Sequence, residues 1–203
     1  KVTVYYHKVL EAKLILGDKI VVSLGTEFIE NERSDVSKQD CETKAAKRLL
    51  ERIKKEYPRL PICIQGDAMY ATEPMMEICR LNGWKYIFSH KEAQQRVLAD
   101  NYNLLSLEDG KQKVQGIGAE KGTAIYCNGI GKMAGKTEIM NVYEYTCKKI
   151  IKKQEKTVHF QWITDIELTR RNLEEMVRAG RGRWKIENEG FNNQKNGIYH
   201  IQH

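Results

Sequence analysis

The chain of 203 residues is 41% hydrophobic and 30% charged, enough apolar material to bury a core and too much for a disordered polyelectrolyte. No apolar run approaches the ~20 residues that a membrane-spanning helix needs, and no signal-peptide pattern is visible. A net charge of +7 and a pI near 9.1 make nucleic acid the first partner to consider.

Lys1 to Tyr6 reads as the middle of a strand with no initiator Met, so the chain is expected to be cut from a longer one. Val2, Val4 and Tyr6 alternate, and Leu14-Ile15-Leu16 continues the pattern, which predicts a strand over 2–16. Gly17-Asp18 is a turn signal, and 19–29 is the returning strand of a long antiparallel hairpin. A polar loop follows. Ala45, Ala46, Leu49, Leu50 and Ile53 then recur at helical spacing and predict a helix over 39–57, with Asp40 as N-cap or first-turn acid and Pro58 as the stop. Residues 61–65 read as a short buried strand with Gly66-Asp67 at its end, 73–81 as a helix closed by Asn82-Gly83, and 84–88 as the next strand. The order β-β-α-β-α-β implies a mixed sheet with helices packed on it.

After Lys91 the character changes. A polar helix over about 91–106 leads to the turn Glu108-Asp109-Gly110. Alternating segments near 111–117, 122–128, 137–149 and 156–165 predict an antiparallel β insertion. From Glu167 to about Asn196 the pattern is helical, with Gly180-Arg181-Gly182 dividing it into two helices. The domain reading is therefore a first core part over 1–91, a mainly β insertion over 92–165, and C-terminal core helices over 166–203.

Cys41, Cys63, Cys79, Cys127 and Cys147 are odd in number and widely spaced. This points to small hydrophobes in a reducing cytoplasm and away from a zinc site or disulfide framework. The histidines show no metal-ligand spacing, and no phosphate-cradling glycine loop precedes a lysine. Lysines cluster at 148, 149, 152, 153 and 156, and arginines follow at 170, 171, 178, 181 and 183. Such runs form either a solvated face or a DNA contact.

Two carboxylates stand out. Asp67 follows a buried strand, where ligands and metals bind at the carboxyl edge of an α/β sheet. The alternative is a loop acid or helix N-cap. Glu187 lies at helical spacing with Trp184 and Phe191, which presses it toward the core and calls for a partner or a metal. The alternative there is a salt bridge with Arg183 at i−4.

The segment from Arg183-Trp184-Lys185-Ile186-Glu187 to Lys195-Asn196-Gly197 resembles the C-terminal signature of bacterial insertion-sequence DDE transposases: Tyr, two residues, Arg, three residues, Glu, six residues, Lys. Arg183 and Glu187 match its Arg and catalytic Glu. Gly66-Asp67-Ala68-Met69-Tyr70 resembles the segment around the family's second Asp, and Trp162-Ile163-Thr164-Asp165 the strand leading out of its insertion. The resemblance covers most of the chain. It departs from the signature at three points: Gly180 stands where the Tyr belongs, Lys195 comes one place late, and the first Asp, expected before the hairpin, is not present. Asp18, on a hairpin turn, is a poor substitute.

The resemblance implies an RNase H-like α/β fold with a β insertion before the last catalytic helix, and DNA cleavage and strand transfer in transposition. Asp67 and Glu187 would be catalytic and hold two Mg²⁺, with Mn²⁺ as the alternative ion. Arg183, Lys185 and Lys195 would contact DNA, and Trp162 would either stack on a base or sit in the core. The implied partners are transposon-end and target DNA and a second copy of the chain, in the bacterial cytoplasm at the nucleoid, with no membrane. These residues alone are expected not to cleave DNA. The rival readings are a non-catalytic DNA-binding remnant and a metal-dependent nuclease of the same fold.

Overall fold

The computed structural model describes residues 8–17, 20–29, 41–132, 139–151, 153–183 and 185. The chain divides into two compact units, one of residues 1–60 with 184–203 and one of residues 61–183.

In the first unit, β1 (Lys8–Leu16) and β2 (Ile20–Ile29) pair antiparallel from Lys8↔Ile29 to Leu16↔Ile20, around Gly17 at φ +59. This is the predicted hairpin, and it forms a two-stranded sheet of its own. Helix α1 (Glu42–Glu56) buries Ala45, Ala46, Leu49, Leu50 and Ile53, the stripe read from the sequence. Its N-cap residue is Cys41, and Asp40 lies outside the described residues. Pro58 cannot continue the helix. Arg48 and Arg52 tie α1 to β2: Arg48 Nε donates to Glu27 Oε1 at 2.6 Å, and Arg52 Nη2 to the Thr26 carbonyl at 2.6 Å.

The second unit is a six-stranded sheet flanked by helices, an α/β architecture. Its strands are β3 (Cys63–Gly66), β4 (Lys85–Ser89), β5 (Gln112–Ile117), β6 (Gly122–Lys132), β7 (Ile139–Ile151) and β8 (Gln154–Thr164). Their order across the sheet is β3-β4-β8-β7-β6-β5. β3 and β4 run parallel, joined through α2 (Glu73–Leu81), and the other neighbours are antiparallel. The four predicted insertion strands are all present. They do not form a separate layer: β8 pairs directly with β4, so the insertion and the parallel pair share one sheet. The polar helix is shorter than expected, α3 (Arg96–Leu104), and residues 91–94 form turns. Gln95, its N-cap residue, is tied instead to α2's lead-in, where Nε2 donates to the Ala71 carbonyl at 2.5 Å.

Helix α4 (Leu173–Gly182) ends within the expected break at Gly180-Arg181-Gly182, with Arg183 in a turn, and it runs through Gly180 itself. The helix runs through that glycine because its missing side chain is filled by a neighbour. Trp162 lies directly against it, and a Cβ on Gly180 would stand 2.6 Å from the indole. The signature's Tyr has no room at this position. Trp162, Tyr143, Tyr126, Leu173, Met176 and Val177 belong to the core on this sheet face, and Tyr143 Oη donates to the Met176 carbonyl at 3.0 Å. The directly paired Phe88, Ile163 and Val142 point to the opposite face.

Replacing a helical glycine with alanine normally gains up to ~1 kcal/mol. At Gly180 overpacking against a rigid indole outweighs that gain, so G180A is expected to destabilise the protein by about 1–2 kcal/mol. Urea unfolding checks it, as a lower midpoint at an unchanged m-value.

Candidate active site

Asp67 leaves the C-terminal end of β3 in extended conformation (φ −76, ψ −178) and caps a single 3-10 turn, Ala68–Tyr70. Its Oδ1 accepts the Met69 N–H at 3.0 Å, so the N-cap reading holds for this residue, which stands just past the end of β3. Gly66 fixes the approach. A Cβ there would lie 2.9 Å from the Tyr70 ring and 3.2 Å from Phe88, so the turn folds Tyr70 back over bare backbone. The carboxylate is half-buried.

Gln65 pairs with Ile87, which belongs to the core on the α4 side, so Gln65 faces α4. Two residues on, Asp67 continues on the same side of the extended chain. A Cβ on Gly182 would stand 3.8 Å from Gln65 Oε1, which places the C-terminal end of α4 over the end of β3. Gln65 Oε1 is buried and accepts no hydrogen bond among the described residues. The sequence offered no sign of this orphaned acceptor, because it depends on α4 arriving from more than a hundred positions away.

The remaining site candidates separate. Trp162 is 3% exposed, stacked on Tyr143 with centroids 4.9 Å apart and on Phe160 at 5.7 Å, the packing that its core reading calls for. Lys185 is buried, at 9% exposed. Arg183 is half-buried at the C-cap of α4. Glu187, Lys195 and Asp18 lie outside the described residues. Among the described residues no group of three His, Cys, Asp or Glu side chains is arranged to hold a metal ion.

Asp165 is not part of the Asp67 edge. β8 runs antiparallel to β4, so its end lies at the start of β4, where Asp165 Oδ1 accepts the Tyr86 N–H and Oδ2 accepts from Lys85 Nζ, both at 3.0 Å. The predicted cysteine character holds for Cys79, Cys127 and Cys147, which are buried, whereas Cys41 and Cys63 are exposed; all five are free thiols.

Arg181, one of the clustered arginines, is committed inside the fold. Its guanidinium makes two bonds to Glu120, at 2.8 and 2.7 Å, and lies over the Tyr145 and Phe160 rings. Lys149 adds a second cation at 3.4 Å. Glu120 sits on the β5–β6 turn, and nothing near it in sequence announces partners 29 and 61 positions away.

Searches of protein-family models and of curated proteins found no match to this chain.

The Arg181 fork lowers the Glu120 carboxyl from its ordinary 4.5 to about 2. A depressed folded-state pKa stabilises the protein fully above about 4.5 and ceases to do so as pH falls toward about 2. E120Q is therefore expected to cost about 1 kcal/mol at neutral pH. The gap to wild type should close as pH drops through that window, read by denaturation at a series of pH values.

Proposed function

We propose that this chain belongs to the catalytic core of a bacterial insertion-sequence DDE transposase with an RNase H-like fold, which cuts element ends and joins them to target DNA. The observation that carries the reading is the place of Asp67. Its carboxylate is anchored just past a parallel strand, on the sheet side where α4 ends, and α4 leads into the Arg183-to-Glu187 segment. Four antiparallel strands intervene between the two acids in the chain order that the transposase resemblance calls for.

The donors at this edge fit a hard divalent ion. Asp67 supplies carboxylate oxygen and Gln65 an orphaned amide oxygen, the chemistry that suits Mg²⁺ or Mn²⁺. Such ions, when bound, would supply an activated water and neutralise charge on the phosphate under attack. The Met69 N–H holds the Asp67 carboxylate in one orientation, and Tyr70 packed over Gly66 keeps the turn from opening. Arg183 offers a planar guanidinium for phosphate oxygens. Glu187 is assigned as the second metal-binding acid and Lys195 as a further phosphate contact. The active complex pairs two copies on DNA, in the bacterial cytoplasm at the nucleoid.

The test uses the full-length protein, Mg²⁺, and DNA with pre-cleaved element ends. Strand transfer is expected, and D67A or E187A should slow it by about 10³-fold or more, since each removes several kcal/mol of transition-state stabilisation. Cleavage without joining would assign a nuclease instead. DNA binding with neither reaction would assign a non-catalytic remnant.

A further inference from the structure

The last residues of β7 and the first of β8 extend beyond the rest of the sheet. The β6–β7 register ends at Thr123↔Thr146, and from Lys148 to Thr157 the two strands pair only with each other among the described residues. The result is a two-stranded arm that reaches four residues past its neighbour, about 13 Å at the rise of a strand. Between Cys147 and Val158 the sequence places five lysines against one glutamate, a net +4 out of the whole chain's +7.

Two features of this arm carry a local cost. Lys149 and Lys156 are directly opposite each other across the ladder, where like charges repel. Lys153 sits at φ +64, a left-handed position that hairpin turns normally give to Gly or Asn and that a lysine's Cβ disfavours. A hairpin with no anionic partner would gain by losing both. Lysines can also serve to blunt an open strand edge. That use explains neither the lysine in the left-handed turn nor a facing pair.

Glu120 partly offsets Lys149, and Glu155 pairs with Lys148 at 3.0 Å, while Lys153 and Lys156 are exposed and make no ion pair among the described residues. A two-stranded ribbon is admitted by the major groove of B-form DNA and not by the deep, narrow major groove of duplex RNA. We propose that the β7–β8 arm is a docking surface for duplex DNA, with Lys153 and Lys156 on the phosphates. The assignment rests on the transposase reading for its partner and identifies a surface separate from the Asp67 turn, on strands that project from the same end of the sheet because β8 runs antiparallel to β4.

The experiment measures binding of a fluorescein-labelled DNA duplex of mixed sequence to the full-length protein across about 50 to 200 mM salt. K153Q/K156Q should weaken binding on the order of 10-fold and flatten the log–log salt slope by about 2. K153R/K156R should retain the parent's affinity and slope. K47Q/K55Q, which removes the same charge from α1, should change the slope less than the arm variant does. An arm variant that binds like the parent, an equal loss in the α1 variant, or a duplex RNA that competes as well as DNA would overturn the proposal. In each of these cases the transposase reading still stands or falls on the parent's own Mg²⁺-dependent strand transfer. If the parent binds no DNA at all, both fail.

Discussion

The larger unit depends on how β8 meets β4. The backbone ladder between them covers only three pairs, Ile87↔Thr164, Phe88↔Ile163 and Ser89↔Trp162. Side chains extend it at the β4 start: Thr164 Oγ1 donates to the Tyr86 carbonyl at 2.7 Å, and Asp165 accepts the Tyr86 N–H where the next ladder bond would fall. At the other end the His90 N–H reaches the Gln161 carbonyl at 2.9 Å, and the His90 ring meets the Gln161 amide. Buried polar groups without such partners cost about 1–3 kcal/mol each, so these bonds matter to so short a seam; His90 Nε2 is the seam atom that stays buried without a partner among the described residues. Without it, the parallel β3–β4 pair and the four-stranded meander would each be left with an open edge.

Joining the two parts gives the sheet two distinct faces. On one, Trp162 and Tyr143 stack beneath α4, and the absence of a side chain at Gly180 lets the helix lie flat on the indole. That contact brings the end of α4 to Gln65, two residues before Asp67. The position of the candidate edge is thus set by a glycine and a tryptophan, neither of which touches it.

Electrostatics divides the basic residues by role. Arg181 is consumed by Glu120 and two aromatic rings, and Asp165 takes Lys85. The lysines of the β7–β8 arm stand apart at the end of a ribbon and are only partly compensated. A net charge of +7 conceals this division, because it counts a cation held inside an ion pair and a cation offered to solvent alike.

The elements were largely legible in the sequence. The α1 stripe, the Asn82-Gly83 stop and the alternation of β5 to β8 are local patterns, and local patterns follow from backbone geometry and from which side of an element is buried. So was the place of Asp67 at the end of a strand. The break at Gly180-Arg181-Gly182 was legible too, since α4 ends at Gly182, but the reason for a glycine at 180 was not, because it depends on the ring packed against it. Trp162 remained ambiguous for the same reason, and the Glu120–Arg181 pair and the orphaned Gln65 oxygen gave no signal at all. By itself the sequence determined which segments are helix and strand, since periodicity and turn chemistry act over a few residues. Only the tertiary structure decided which strands became neighbours, which cations were neutralised and what stands beside Gln65, because those contacts join positions tens to a hundred residues apart and are selected by packing.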